Sequence, residues 1–341
     1  MMKITKQRYK SEYFFRHFQN FWRYLSLRKI FNLILNIIEF KFKISAVHSL
    51  PLYLKIEPTP LCQLRCPSCR HSSSLYNKQF QKGMQITLEQ FKQIVNPLSP
   101  TLLGISLSNY GEPLLHRDIL SLIEYAHRRN IAVSFPTNFS LKLSKDWMEE
   151  LVNSGLDSLL VSLDGATEET YNKYRVGGNF SLILQNVKTI SEIKRKLKLN
   201  RPYIIWKYVI FNHNRHEISI VMQKYREWGF DSYEFVEDKF NPKLQEDKNA
   251  YATSPRRRRA GCFWAWYTMV IQWDGEVSPC CSYKSFDIGN AIKENIVKIW
   301  RSEQYNQLRL GLSAKKYTDK MHPLCKKCFK ILEPTKSYNI R

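Results

Sequence analysis

Six short apolar runs, at residues 52–56, 102–107, 131–135, 158–163, 203–210 and 233–236, alternate with stretches of helical period between residues 50 and 240. This alternation is the strongest constraint on the fold. Each strand-then-helix unit returns the chain to the same end of a sheet, so the strands run parallel and need helical crossovers. The result is an α/β fold whose sheet is either doubly wound or curled into a partial barrel. In both, ligands gather beyond the carboxyl ends of the strands. The helix after the first run opens at Thr87 with Gln90 three residues later, a capping-box signature. The residues just past the end of each run therefore carry the functional information.

The first run is followed by Cys62-Gln-Leu-Arg-Cys66-Pro-Ser-Cys69. Three thiolates at steps of four and three can hold three irons of a cubane cluster, leaving the fourth iron for a small molecule. The same spacing suits a zinc site completed by His71. After the second run stands Ser108-Asn-Tyr-Gly-Glu-Pro113, after the third Thr137-Asn138, and after the fourth Ser162-Leu-Asp-Gly165. The next helix ends in Tyr174-Arg175-Val-Gly-Gly178. Singly these are ordinary turn and cap sequences. Their placement at successive strand ends is not a requirement of folding.

Two flanking regions differ from this middle. Up to Lys43 the chain has ten basic and two acidic residues, about a third of the net charge of +23. Tyr13, Phe14, Phe15, Phe18, Phe21, Trp22 and Tyr24 are interleaved among them. From Arg28 a narrow polar stripe (Arg28, Asn32, Asn36, Glu39, Lys43) recurs at helical spacing on a segment otherwise rich in Ile, Leu and Phe. Such a helix packs on the body of the protein or lies in a membrane interface. At the other end, residues 241–260 read as a polar linker containing Arg256, Arg257, Arg258 and Arg259. Beyond it lies a Cys- and Trp-rich segment with Asp274-Gly275 as a hairpin turn.

Composition narrows the class. With 43% hydrophobic residues the chain is not intrinsically disordered despite its charge. It has no run of about 18 apolar residues to suggest a membrane span, and the start lacks the pattern of a secretory signal. Eight cysteines in such a chain fit cytoplasmic metal or redox chemistry better than a disulfide framework.

Taken together, the three-cysteine loop and the strand-end motifs resemble the radical S-adenosylmethionine (SAM) superfamily over roughly residues 50 to 341. The resemblance implies a partial (β/α)6 TIM-like barrel over residues 51–240, with a helical extension at residues 1–50. Cys62, Cys66 and Cys69 would ligate a [4Fe–4S] cluster whose open iron is chelated by SAM. Tyr110, Gly111 and Glu112 match the motif that receives the methionine amino group. Asn138 and Ser162 match positions near the ribose and methionine, and Asp164 either shares the ribose-side motif or only caps the helix that follows. Arg175 would pair with the SAM carboxylate. Ser68 stands where the superfamily commonly has an aromatic residue beside the adenine, and residues 209–212 give no clear adenine motif.

The C-terminal cysteines resemble the SPASM/twitch domain over residues 261–341. By that resemblance Cys262, Cys280, Cys325 and Cys328 ligate one auxiliary [4Fe–4S] cluster, although a four-cysteine zinc ribbon suits the same thiolates. No cysteine follows Cys328 to build a second auxiliary cluster. Cys281 remains: a buried hydrophobe, an exchange partner for Cys280 as ligand, or a hydrogen-atom donor to a substrate radical, as thiols serve in radical SAM epimerases.

The expected function is hydrogen abstraction from an unactivated carbon by a 5′-deoxyadenosyl radical, ending in dehydrogenation, epimerisation or rearrangement. The expected substrate is a small molecule, phosphorylated, sugar-containing or lipid-linked, with flavodoxin or ferredoxin as electron donor. The N-terminal helix suggests a peripheral position on an anionic membrane, at the inner face of the cell membrane, and sets nucleic acid behind it as a partner. The alternatives are a peptide maturase, an RNA-modifying enzyme and a zinc-binding nucleic-acid module.

Overall fold

The computed structural model describes residues 22–67, 69, 83–237, 262–280, 288–313, 322, 323 and 325. Residues 1–21, Ser68, His71, the 241–260 linker with its four arginines, Cys281 and Cys328 lie outside the described residues.

All six expected strands form: β1 (Tyr53–Ile56), β2 (Gly104–Leu107), β3 (Ala132–Thr137), β4 (Ser158–Ser162), β5 (Tyr203–Ile210) and β6 (Ser232–Glu237). They pair in sequence order, every pair parallel. The helices between them bury apolar faces against the sheet. After α1 (Leu27–Phe42) these are α2 (Leu88–Val95), α3 (Ile119–His127), α4 (Lys145–Asn153), α5 (Glu168–Tyr174), α6 (Phe180–Lys196) and α7 (Ile218–Lys224). Both halves of the Thr87 capping box are made: Gln90 N donates to Thr87 Oγ1 at 3.2 Å and Thr87 N to Gln90 Oε1 at 2.9 Å. Inside, Trp206 stacks on Trp228 and Phe230 with ring centroids 4.9 and 5.1 Å apart.

The C-terminal segment is built onto this sheet. After α8 (Trp264–Tyr267), strand β7 (Thr268–Ile271) pairs parallel with β1, Tyr53 opposite Thr268. The turn at Gly275, whose φ of 86° suits glycine, returns the chain as β8 (Val277–Ser278), antiparallel to β7. The sheet order is β6-β5-β4-β3-β2-β1-β7-β8. Two helices, α9 (Ile296–Trp300) and α10 (Glu303–Ser313), pack behind the hairpin. Arg309 of α10 is fully buried, donating to the carbonyls of Ala265 and Trp300, each at 2.9 Å. Its guanidinium lies 4.3 Å from the centre of the Trp300 ring.

The N-terminal helix α1 packs on the body, but with its polar stripe inward. Asn32, Asn36, Glu39 and also Lys29 are buried. They meet exposed main chain at the amino ends of the strands. Asn32 both donates to Leu50 O and accepts from Leu50 N, at 3.0 and 2.8 Å. Asn36 also donates to Leu50 O, and Lys29 Nζ donates to Asn130 O. Glu39 accepts from His48 N at 2.6 Å and from the Ser49 hydroxyl.

Candidate active site

The cysteine loop leaves the carboxyl end of β1 and is braced by each neighbouring strand end. Leu61 O accepts from Glu112 N at 2.7 Å. Gln63 Nε2 donates to Asn138 Oδ1 at 2.9 Å and to Ser140 O at 3.1 Å. Arg65 N donates to Val176 O at 2.9 Å. The motifs after β2, β3 and α5 thus converge on one loop, as their positions in sequence suggest.

Cys66 is buried, while Cys62 and Cys69 are half-buried. Burial pushes the Cys62 thiol up to about 12, helped by the negative charge of Glu112 and the other two sulfurs. Burial raises Cys66 too, and the guanidinium of Arg175 pulls it back. Cys69 acts on both electrostatically, so the three sulfurs share one neighbourhood. Arg175 Nη1 points at Cys66 Sγ from 3.9 Å and Asn138 Nδ2 at Cys62 Sγ from 3.8 Å. Three soft sulfur ligands ringed by N–H donors fit an iron–sulfur cluster, whose thiolates need such compensation.

Around the loop, the predicted SAM-contact residues fall into two groups. Glu112 is buried and its carboxylate is occupied by the fold. Oε1 accepts from Thr137 Oγ1 at 2.6 Å and Leu114 N at 3.1 Å, and Oε2 from Asn138 N at 2.7 Å. Burial raises its pKa, opposed by these bonds. It joins the ends of β2 and β3. Tyr110 and Gly111 are positioned by Glu57, a residue that the sequence did not single out. Glu57 Oε1 accepts from Tyr110 N at 2.8 Å and Gly111 N at 3.1 Å. A Cβ at Gly111 would sit 1.9 Å from Thr59 O, so only glycine permits this turn beside the cysteine loop.

The second group lies across the opening. Arg175 Nη2 meets Asp164 Oδ2 at 2.5 Å and its Nε meets the same oxygen at 2.6 Å. Asp164 Oδ1 accepts from Val209 N at 2.7 Å, tying the pair to the end of β5. Ser162 ends β4 and is buried. Phe211 and Tyr174 stand beside this pair, ring centroids 4.3 Å apart. Beneath, Glu217 binds Ala166 N at 2.8 Å and Thr167 Oγ1 at 2.9 Å, fixing the start of α5. A lone buried carboxylate such as Glu57 or Glu217 carries no local pattern, which is why sequence reasoning missed both.

A cavity of about 630 Å³ opens along the inner face of the sheet. Ser108 lines it at the carboxyl ends of the strands, Trp264 and Thr268 at the amino ends, with Lys55, Lys207 and Glu234 between. Lys207 and Glu234 are directly opposed on β5 and β6. Burial holds the Lys207 ammonium below its usual range, Glu234 acting against this and Lys55 with it.

Cys262 and Cys280 lie at the far end. Cys262 precedes α8 and Cys280 follows β8, so both fall at the amino end of β7, where both act electrostatically on the buried Tyr305. Cys325 is half-buried against the core. Among the described residues, no three His, Cys, Asp or Glu side chains close on a single metal-ion position.

A parallel half-barrel with a three-sulfur loop at its mouth and further cysteines at its base defines an iron–sulfur protein. The family model of the radical SAM superfamily matches residues 56–205, and that of the SPASM iron–sulfur cluster-binding domain residues 262–329. The chain belongs to the radical SAM superfamily and carries a C-terminal SPASM domain. Its cofactors are SAM, the radical SAM [4Fe–4S] cluster and an auxiliary [4Fe–4S] cluster. Among similar proteins, the antilisterial bacteriocin subtilosin biosynthesis protein AlbA of Bacillus subtilis is 24% identical over 293 residues, 76% of this chain and 61% of AlbA. A GTP 3′,8-cyclase of Clostridium botulinum is 28% identical over 151 residues, 43% of this chain and 46% of the cyclase. The chain therefore spans less than two thirds of either relative. In fold it is similar to Streptococcus suis SuiB bound to its precursor peptide SuiA, with a TM-score of 0.62 and 16% identity over 87% of this chain and 73% of SuiB.

Proposed function

We propose that the protein removes a hydrogen atom from an unactivated carbon of a peptide held in the cavity between its two cysteine sites. The observation that carries this reading is the cavity itself, which reaches from Ser108 to Trp264, two residues past Cys262. When bound at the Cys62–Cys66–Cys69 loop, SAM supplies the 5′-deoxyadenosyl radical that performs the abstraction. The chain's residues do the rest. Arg175, held by Asp164 through Nε and Nη2, offers its Nη1 side to the SAM carboxylate. The turn at Tyr110 and Gly111 presents backbone carbonyls to the ammonium, with Glu112 behind it as a positioning residue. Asn138, Ser162 and Asp164 border the ribose side. Cys262, Cys280, Cys325 and Cys328 hold the auxiliary cluster, which orients substrate or accepts an electron from it. Flavodoxin or ferredoxin supplies the reducing electron.

A peptide replaces the sugar-, phosphate- or lipid-linked molecule expected from sequence, because AlbA is a bacteriocin biosynthesis protein and SuiB binds a precursor peptide. A phosphorylated or otherwise anionic small molecule is the second reading, supported by Lys55 and Lys207 in the cavity lining. To separate them, the reconstituted enzyme is incubated with SAM, dithionite and size fractions of a fully deuterated cell extract. Deuterium in 5′-deoxyadenosine that tracks the peptide fraction and disappears after protease treatment is the expected result. Protease-resistant transfer from the small-molecule fraction replaces this reading with the second.

The fate of the product radical depends on Cys281. As a hydrogen-atom donor it makes the reaction an epimerisation. A Cys281→Ser variant then keeps its iron and its SAM cleavage but no longer places solvent deuterium on carbon; unchanged deuterium incorporation removes Cys281 from the chemistry.

A further inference from the structure

We propose that the outward face of α1 docks the protein on an anionic lipid bilayer. The attachment of the helix decides which face turns outward. Its polar side chains are consumed by main-chain groups of the body, through Asn32, Asn36, Glu39 and Lys29. Phe40 packs against Trp266 and Tyr267, and most of the other apolar side chains are turned out. Leu27 is 85% exposed, Phe31 70% and Phe42 68%, and Ile30, Ile34, Ile37 and Ile38 lie exposed between them. These positions recur at three and four residues, so they form one continuous stripe along the 16-residue helix. At about 1.5 Å per residue the stripe runs roughly 24 Å, which is more than scattered surface apolar residues explain.

Chemistry at the rim selects the occupant. Exposed Arg23 and Arg28 stand at the amino end of the stripe, Lys41 at the other, and Trp22 is 59% exposed beside them. Between residues 22 and 50 the one acidic residue is Glu39, which is buried. Residues 22–50 therefore present apolar side chains and cations with no exposed carboxylate. A second copy meeting this face would set cations against cations, with nothing to neutralise them. An anionic bilayer supplies hydrocarbon for the stripe and negative headgroups for its ends, the pattern of an interfacial helix lying in the membrane plane. No helix among the described residues is long and apolar enough to cross a membrane, so the contact is peripheral.

The test is flotation of the full-length, cluster-loaded protein with phosphatidylglycerol and with phosphatidylcholine vesicles. The expected result is binding to phosphatidylglycerol vesicles, at least tenfold weaker on phosphatidylcholine. Binding should fall at least tenfold in a Phe31→Glu/Ile38→Glu variant. Both side chains are exposed, so the variant should retain its circular dichroism and its 5′-deoxyadenosine yield. Absence of vesicle binding by the parent protein overturns the proposal, as does equal binding by the variant. A concentration-dependent dimer that the variant abolishes, without vesicle binding, assigns the face to a second copy and also overturns it. Because SAM cleavage is read in parallel, failure here is distinguishable from failure of the catalytic reading.

Discussion

At the scale of single residues, the site rests on buried carboxylates whose partners are main-chain amides, threonine hydroxyls and one guanidinium. Glu57 holds the Tyr110–Gly111 turn through two charge-assisted hydrogen bonds, each worth about 1.5–3 kcal/mol. Replacing it by Gln removes the charge and keeps the shape. The dissociation constant for SAM, measured by equilibrium dialysis on reconstituted protein, should rise about tenfold with iron content unchanged; unaltered affinity would show that the turn does not depend on Glu57. Asp164→Asn strands the Arg175 charge and should cost about 3–5 kcal/mol in urea unfolding. Asp164→Asn combined with Arg175→Gln should cost less than Asp164→Asn alone, since no unpaired charge remains. His116 is buried, its Nε2 2.7 Å from Ile86 O, and burial lowers its pKa. The unfolded chain therefore takes up a proton first. Its contribution to stability is present above the ordinary histidine value of about 6.5 and is lost as pH falls below it. His116→Gln should flatten the stability profile in that range. The strand-end motifs were legible because each is local and falls where an α/β sheet puts its ligands. The carboxylates beneath them were not, since only the folded chain shows which amides they reach.

At the scale of elements, α1 shows the limit of periodicity. The sequence marks two faces on this helix but not which one turns inward. Burying the apolar face is the ordinary outcome, and here the docking surface decides otherwise. It presents Leu50 O, Asn130 O and the amides of His48 and Ser49, which demand hydrogen-bonding partners. Asn32→Ala removes two of these bonds; Asn36 still serves Leu50 O, but Leu50 N is left without its acceptor, an expected loss of about 1–3 kcal/mol. Because α1 is fastened at the amino ends of the strands, away from the cysteine loop, 5′-deoxyadenosine formation by the folded fraction should be unchanged. The six parallel strands and the Gly275 hairpin were readable from runs and turns. The pairing of β7 with β1 was not, because it joins segments more than two hundred residues apart.

At the scale of the whole molecule, the two cysteine sites occupy opposite ends of one sheet. The loop at Cys62 follows the carboxyl end of β1, whereas Cys262 and Cys280 lie at the amino end of its partner β7. Reconstituted protein should carry about eight irons, two cubanes' worth. Cys262→Ala should carry about four and still cleave SAM, whereas Cys62→Ala should lose the cleavage altogether. Parallel iron and sulfide determination with 5′-deoxyadenosine quantification checks both, and loss of SAM cleavage in Cys262→Ala would show that the sites are not separable. The shared strand has a further effect. Where two redox centres sit on units joined by a hinge, their separation fluctuates, and so does the tunnelling rate between them. Here the gap is spanned by a hydrogen-bonded ladder four residues long, about 13 Å of extended backbone at ~3.3 Å per residue. The separation of the two cysteine sites is thereby set by backbone hydrogen bonds rather than by the motion of one half of the protein against the other.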